Sequence, residues 1–361
     1  MRKWLQQVLG PMVIRLAHQY DGRPVQERVF TQLTALFQNI LAQPSKKGLL
    51  MPFDESHRFI ILSDQHKGAR DDSDDFEIAE GNYLAALAYY YQQGYFYINL
   101  GDSEELWENS IQQVKEHNTA TFAKEALFLQ ANRFVKIFGN HDLYWDNDPL
   151  ASVQLKSIYQ QSVTIYEGLV LQITIKGKQA NIFLTHGHQG DVQSDGNWFS
   201  KWFVSNIWAP LQAYLHINLN TPSNNDTLKT VHNTMMYQWT LNTPNTLLIT
   251  GHTHQPVFAS LTHIEWLYQQ LGEAKNNNDI AKVVSLENEI VTVAKPHMAM
   301  PDFTNYQPRY FNSGCCCFSD GDITGIEIAS GNISLVKWSY NAQQQSQKEV
   351  LQTDRLENLF M

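Results

Sequence analysis

The sequence has few cysteines, little charge and no long apolar run, and each shortage excludes a class of protein. Only three of its 361 residues are cysteines, and they are adjacent: Cys315, Cys316 and Cys317. Adjacent cysteines cannot join distant loops, which excludes a disulfide scaffold, and the C-x-x-C spacing of many zinc sites is missing. No apolar run approaches the roughly 18 residues of a membrane span, and residues 1–20 lack a signal-peptide pattern. These absences predict a cytoplasmic protein.

Charge is both scarce and acidic. Charged residues make up 17% of the chain, and 36 acidic against 26 basic side chains give a formal net charge of -10. Bulk affinity for a nucleic-acid backbone needs basic surface, so nucleic acid is disfavoured as a partner. An anionic substrate stays compatible with this charge if metal ions occupy the site. The apolar share of 43% is enough for a large folded core.

The chain reads as one domain with additions. Residues 1–50 show helical spacing of apolar residues, which fits a helix packed on the domain or, with bases at its start, a helix on a membrane surface. The main domain is expected at 51–340, with an aromatic-rich helical insertion at about 192–240 and a second helical insertion at about 262–290. The polar, Gln-rich residues 341–361 predict a tail.

Five short apolar runs predict strands, and each ends in polar residues that can bind metal. The five segments are Ser63-Asp64-Gln65-His66, Leu100-Gly101-Asp102, Phe138-Gly139-Asn140-His141-Asp142, Leu184-Thr185-His186-Gly187-His188 and Ile249-Thr250-Gly251-His252-Thr253-His254. Six of the 13 histidines lie in them. In open α/β sheets the carboxyl ends of the strands form the ligand-binding edge, so these side chains are expected to meet there.

The residue types indicate divalent metal ions. Carboxylate, amide and imidazole groups without thiolate favour Mn, Fe, Zn or Co over a sulfur-bound structural zinc. One ion does not need so many ligands, and a carboxylate can bridge two ions. The candidate ligands are Asp64, His66, Asp102, Asn140, His186, His252 and His254. His188 competes with His186 for the same place, and His186 is preferred because it directly follows the strand.

Taken together, the motifs resemble those of the calcineurin-like metallophosphoesterases. Asp64-x-His66, Gly101-Asp102-x-x-Glu105, Gly139-Asn140-His141-Asp142, His186-Gly187 and Gly251-His252-x-His254 stand in that family's order. The resemblance covers about 57–338, since Tyr310 to Cys315 look like the family's closing strand. It implies a four-layered α/β/β/α sandwich.

The resemblance also implies a role for each residue. Asp64, His66 and His254 would hold the first of two divalent ions, Asn140, His186 and His252 would hold the second, and Asp102 would bridge them. A metal-bridging hydroxide would attack phosphorus. His141 would face the phosphoryl or leaving group, and Asp142 or Glu105 would orient it.

The substrate is left open by the sequence. A phosphorylated small molecule or a lipid-linked phosphoester fits the site, while a nuclease or a non-catalytic interaction module on the same fold are the alternatives. The run Gly101 to Trp107 resembles the second motif of the UDP-diacylglucosamine pyrophosphatases. Those enzymes carry Arg where this chain has His141, which favours a general phosphatase or phosphodiesterase.

Overall fold

The computed structural model of the protein describes residues 25–71, 74–190, 226–293 and 306–360. Within these ranges, fourteen strands form two seven-stranded sheets. In spatial order the first sheet consists of β1 (Gly48–Pro52), β6 (Gly168–Ile175), β7 (Lys178–Thr185), β8 (Thr246–Thr250), β11 (Tyr310–Asn312), β9 (Val257–Phe258) and β10 (Leu261–Thr262). The second consists of β14 (Ser346–Arg355), β13 (Asn332–Tyr340), β12 (Ile323–Ala329), β2 (Arg58–Leu62), β3 (Phe96–Leu100), β4 (Phe134–Ile137) and β5 (Ile165–Tyr166).

Ten helices accompany these strands in the described ranges. They are α1 (Gln26–Ala42), α2 (Glu80–Gln92), α3 (Ile111–His117), α4 (Thr119–Gln130), α5 (Tyr144–Asn147), α6 (Ala151–Tyr159), α7 (Asp226–Leu241), α8 (His263–Asn276), α9 (Ile280–Val293) and α10 (Leu356–Leu359). None of the helices in the described part of the chain is long and apolar enough to cross a membrane.

The central strands are buried on both faces, which explains their continuous apolar sequences. In β2, Phe59 and Ile61 point into the core between the two sheets, whereas Ile60 and Leu62 point towards α2. This alternation follows from the two-residue period of a strand.

The helices form the two outer layers. On the second sheet, α2 and α4 pack through Tyr83, Leu87 and Phe128. On the first sheet, α1 and α7 pack together, and Phe37 contacts the ring of Trp239 edge-on with centroids 6.0 Å apart. The order helix, sheet, sheet, helix confirms the predicted α/β/β/α sandwich.

Parallel pairing at the centre of each sheet aligns the motif-bearing strand ends. In the second sheet β2, β3 and β4 are parallel, with Ile61 opposite Ile98 and Ile98 opposite Val135. In the first sheet β7, β8 and β11 are parallel. The five polar segments therefore leave their strands in register with their neighbours.

Two predicted segments differ from the structure. The proposed tail at 341–361 contains β14 and α10, and Leu356 and Leu359 are buried in the core between the sheets. The polar composition is that of an edge strand, whose residues alternate between half-buried and exposed over much of its length. The proposed extension at 1–50 contains α1 and also the start of β1, which pairs with β6, so the boundary at 51 cuts through a strand.

The predicted insertions are partly described. Helices α8 and α9 occupy most of the second predicted insertion, and α8 ends at Asn276. Residues 226–241 of the first insertion form α7. The rest of that insertion, with the aromatic residues from Trp198 to Trp208, lies outside the described residues. So do residues 1–24 of the extension at 1–50, for which a helix on a membrane surface was one alternative.

Candidate metal centre

The loops that follow the strands are joined to one another by backbone hydrogen bonds. The N–H groups of Asp64 and His66 donate to the carbonyls of Gly101 and Asp102, both at 3.0 Å. Within the first sheet, the Gly251 N–H donates to the His186 carbonyl at 3.0 Å. Two bonds continue the first series, from Lys67 N–H to Ser103 and from Glu105 N–H to Lys67. Within each sheet, these bonds hold two neighbouring motifs together.

Most of the predicted ligands have a left-handed backbone. The φ angles of Asp64, His66, Asp102, His252 and His254 lie between 48° and 69°. This conformation costs a non-glycine residue of the order of 1–3 kcal/mol. Such strain persists where the surrounding structure enforces it, and it clusters at functional sites.

Asp64, His66, His254 and Asp102 form the first cluster. His66 Nε2 lies 3.1 Å from His254 Nε2 and 3.8 Å from Asp102 Oδ2. His254 Nε2 lies 3.3 Å from Asp64 Oδ1. Ligands at about 2.0–2.2 Å from one ion are spaced in this way, with roughly 3–4 Å between them. The four side chains can therefore share a divalent cation.

Asp102, His186 and His252 form the second cluster, and Asn140 lies in the loop that follows β4. His186 Nε2 lies 3.0 Å from Asp102 Oδ2, and the rings of His186 and His252 have centroids 5.2 Å apart. Asn140 Oδ1, His186 Nε2 and His252 Nε2 are buried and make no hydrogen bond of normal geometry within the described residues. Buried polar atoms without a hydrogen bond are costly unless they have another partner, such as a metal ion.

The charge of the two clusters also fits a pair of cations. Asp64 and Asp102 are almost completely buried, and buried carboxylates need a compensating charge. Burial alone lowers the pKa of His186, but Asp102 and Asp64 raise it to about 9. Asp64, His66 and Asp102 form one group whose ligand atoms lie close enough together to hold a metal ion. Asp102, His186 and His252 form another, so Asp102 belongs to both.

His141 lies beside the first cluster and is not part of either. Its ring is perpendicular to that of His66, with centroids 4.5 Å apart. His141 Nδ1 contacts Glu105 Oε2 at 2.7 Å, and the same oxygen lies 2.8 Å from His66 Nδ1. Burial alone lowers the pKa of His141, but Glu105 and Asp102 raise it to about 9.

Asp142 is placed differently from Glu105. Its carboxylate accepts hydrogen bonds from the backbone N–H groups of Gly139 at 2.5 Å and Ser103 at 3.0 Å. Of the two residues predicted to orient His141, Glu105 contacts the ring, whereas Asp142 connects the loops after β3 and β4. The carboxylate of Asp142 thereby supports the segments that carry Asp102 and Asn140.

The distances favour His186 over His188 as the candidate ligand. The Nε2 atom of His186 faces Asp102, and its Nδ1 atom lies 2.9 Å from the Leu100 carbonyl oxygen. His188 instead packs on Phe138, with ring centroids 5.9 Å apart, and is absent from the metal-binding groupings of the described residues.

A comparison with protein families agrees with this site. The sequence model of the calcineurin-like phosphoesterase family matches residues 57–256, a span that holds all five motifs and both clusters. This chain belongs to the calcineurin-like phosphoesterase family. The comparison with curated proteins found no match.

Solved structures similar to this calcineurin-like phosphoesterase have low sequence identity to it. Vacuolar protein sorting 29 from Cryptosporidium parvum is 12% identical, with a TM-score of 0.35, over 84% of this chain and 100% of its own. A dimetal phosphatase from Danio rerio is 8% identical, with a TM-score of 0.32, over 83% of this chain and 100% of its own. A mutant cold-active protein tyrosine phosphatase is 12% identical, with a TM-score of 0.35, over 86% of this chain and 83% of its own.

Two residues next to the candidate metal centre of this calcineurin-like phosphoesterase were not predicted from the sequence. The indole of Trp107 stacks on His141, with centroids 4.0 Å apart and planes 19° apart. His232, on α7, lies 2.8 Å from the Gly187 carbonyl oxygen through Nε2. Trp107 could have been identified from the sequence, because it ends the run from Gly101 to Trp107. His232 could not, because it is 45 residues from Gly187.

A buried ionic network connects the loops that follow β2 and β3. Lys67 Nζ lies 2.7 Å from Glu125 and 3.2 Å from Glu104, and Lys136 Nζ lies 2.9 Å from Glu104. Burial raises the pKa of Glu104, but Lys136 and Lys67 lower it to about 2. Glu104 thus remains charged, and the network joins the residue after His66 to the second residue after Asp102.

Proposed function

We propose that this protein is a phosphoesterase that needs two divalent metal ions and hydrolyses phosphomonoester or phosphodiester bonds. The observation that carries the proposal is the pair of clusters that share Asp102. Family membership makes phosphoester hydrolysis the expected chemistry, and the buried atoms without hydrogen bonds supply a physical reason for cations in the second cluster.

Each cluster would hold one ion. Asp64, His66 and His254 would bind the first, Asn140, His186 and His252 the second, and Asp102 both. Mn, Fe, Zn and Co all suit oxygen and imidazole ligands. When bound, such ions supply Lewis acidity towards a phosphoryl group and lower the pKa of water.

The protein groups around the ions would position the substrate and move a proton. With Nδ1 of His141 held by Glu105, its Nε2 is the nitrogen left for the phosphoryl or leaving-group oxygen. Trp107 restricts the His141 ring from one face. His141 would therefore stabilise charge on the phosphoryl group or protonate the leaving oxygen.

The substrate we propose is a phosphorylated small molecule or a lipid-linked phosphoester. The net charge of -10 disfavours a long nucleic-acid backbone. The three buried cysteines are free, which supports the proposal of a reducing compartment such as the cytoplasm.

The test compares p-nitrophenyl phosphate with bis-p-nitrophenyl phosphate, each with added Mn and with chelator. Three proteins are needed: the parent, Asp102→Asn at the shared ligand, and Asp146→Asn at an exposed position as the matched control. We expect metal-dependent turnover in the parent and in the control, and a loss of at least about 100-fold in Asp102→Asn. The preferred substrate separates phosphatase from phosphodiesterase.

Other outcomes assign other functions. A parent protein that binds two ions but hydrolyses neither substrate, nor any phosphoester of a broad panel, would favour an interaction module. Cleavage of DNA, at a rate above that of the small esters, would favour a nuclease. Turnover that survives chelator and Asp102→Asn would contradict the dinuclear mechanism.

A further inference from the structure

The outer nitrogens of three ligand histidines have different partners. His66 Nδ1 lies 2.8 Å from Glu105 Oε2, and His186 Nδ1 lies 2.9 Å from the Leu100 carbonyl oxygen. A carboxylate or carbonyl is the usual second partner of a metal-bound histidine. His254 differs, because its Nδ1 atom contacts the sulfur of Cys317 at 3.7 Å.

The segment after β11 brings this sulfur to the site. Gly314 has a φ angle of 74°, and beyond it the Cys316 N–H donates to the Asp64 carbonyl at 3.1 Å. The Cys315 carbonyl accepts from the Thr324 N–H at 3.0 Å. The three-cysteine segment is thus fixed by its backbone between the first metal loop and β12.

Neighbouring cysteines in this segment face different surroundings. Cys316 packs into the core between the second sheet and α2, and its sulfur lies 3.9 Å from Gln65 Nε2. The Cys317 side chain faces His254, and with His66 these two residues form one of the metal-binding groupings. Core packing, the usual environment of a free cysteine, describes Cys316 and leaves out the contact of Cys317 with His254.

We infer that Cys317 is a positioning residue for the first metal ion: its sulfur accepts the Nδ1–H of His254 and holds the ring with Nε2 towards Asp64 and His66. This inference rests on the proposed dinuclear site. Without an acceptor at Nδ1, the His254 ring can rotate about its side-chain bonds, and the first cluster loses one of its preset ligands. A thiol is a weaker acceptor than a carboxylate, and the Cys315 side chain also hydrogen-bonds His254, so Cys317 supplies one of two sulfur contacts to this residue.

The experiment measures metal binding rather than turnover. Mn affinity and stoichiometry are determined by competition with a chelator in the parent, Cys317→Ala, Cys317→Ser and Cys316→Ala, the last as a control that removes a buried thiol of equal size. We expect Cys317→Ala to lower the affinity for one of the two ions by about 10–100-fold and to leave the affinity for the other unchanged. Cys317→Ser, which retains an acceptor, should recover part of the loss, and Cys316→Ala should match the parent.

Cobalt spectroscopy supplies an independent readout. Co(II) bound to the parent should show no sulfur-to-cobalt charge-transfer band, because the thiol contacts the ligand and not the ion. Such a band, lost in Cys317→Ala, would overturn the positioning role and make Cys317 a direct ligand. Equal Mn affinities in the parent and in Cys317→Ala would also overturn the inference, with the dinuclear site intact. A parent that takes up no ions would instead overturn the proposed function, and with it this inference.

Discussion

Glu105 is hydrogen-bonded to His141: its Oε2 atom lies 2.7 Å from His141 Nδ1. The same oxygen lies 2.8 Å from Nδ1 of His66, a ligand in the first cluster. One buried carboxylate thus orients both a metal ligand and the group proposed to face the phosphoryl oxygen. The two rings cannot be repositioned independently.

Glu105→Gln should therefore impair catalysis more than folding. The amide retains an acceptor but loses the negative charge that favours both histidine N–H donors, so we expect turnover to fall by about 10–100-fold. Steady-state kinetics on the better p-nitrophenyl substrate measure this. Glu116→Gln, at an exposed position on α3, is the control and should behave as the parent. Unchanged kinetics in Glu105→Gln would contradict the shared orienting role.

Lys67→Met should destabilise the protein strongly. Lys67 is fully buried between Glu125 and Glu104, and removing one partner of a buried ionic group leaves a charge without compensation. The expected loss is about 3–5 kcal/mol of unfolding free energy, measured with urea. The control Lys156→Met is at an exposed site on α6 and should change stability by at most about 0.5 kcal/mol.

A double variant tests the reason for that loss. Glu125→Gln added to Lys67→Met removes the uncompensated carboxylate, while Glu104 keeps Lys136 at 2.9 Å. We expect the double variant to be more stable than Lys67→Met alone. A double variant that is less stable, by the sum of both single losses, would show that charge compensation is not the cause.

The site was predictable where its residues follow strands. The apolar runs ending at Leu62 and Leu100 mark two strand ends, and parallel pairing brings the following loops together. Asp64 and Asp102 could therefore be placed at one edge from sequence alone. The family motifs then marked some of these residues as candidate ligands.

Other features depend on tertiary contacts that no local pattern shows. Lysine is rarely buried, so nothing in the sequence indicates that Lys67 and Lys136 lie in the interior. Cys317 and His254 are 63 residues apart, and their contact requires the pairing of β11 with β8. The strand β14 was read as a tail because an edge strand with one exposed face can be as polar as a disordered segment.

Gly101→Ala should lower the stability of the protein by more than its positive φ angle alone explains. Gly101 has a φ angle of 91°, and a Cβ there would lie 2.6 Å from His186 Nδ1. Gly177 is a matched control, since its φ angle is 77° and a Cβ there would meet nothing within 4 Å. We expect about 1–2 kcal/mol of lost stability for Gly177→Ala and a further loss of roughly 1–3 kcal/mol for Gly101→Ala.

The metal content of the two glycine variants gives a second measure. A Cβ at Gly101 would displace the His186 ring, so Gly101→Ala should also bind its second ion more weakly. Gly177→Ala, in the turn between β6 and β7, should bind both ions as the parent does. Equal stability and equal metal content in both variants would contradict the close approach of Gly101 to His186.

Tyr310 should make the metal-free protein sensitive to alkali. Burial raises the pKa of its hydroxyl to about 12, although hydrogen bonds with Thr250 and Asn312 act in the opposite direction. A pKa raised in the folded state means that the unfolded chain releases its proton first. The stability due to this group is therefore complete below about pH 10 and is lost as the pH rises to about 12.

Urea unfolding of the parent and of Tyr310→Phe over this pH range tests the effect. At neutral pH the variant should be less stable by about 1 kcal/mol, because Asn233 Oδ1 and Thr250 Oγ1 each lose a contact at 2.9 Å. Between about pH 10 and about pH 12 its stability should fall less steeply than that of the parent, since one titrating group is gone. Parallel curves for the two proteins would show that Tyr310 titrates alike in the folded and unfolded states.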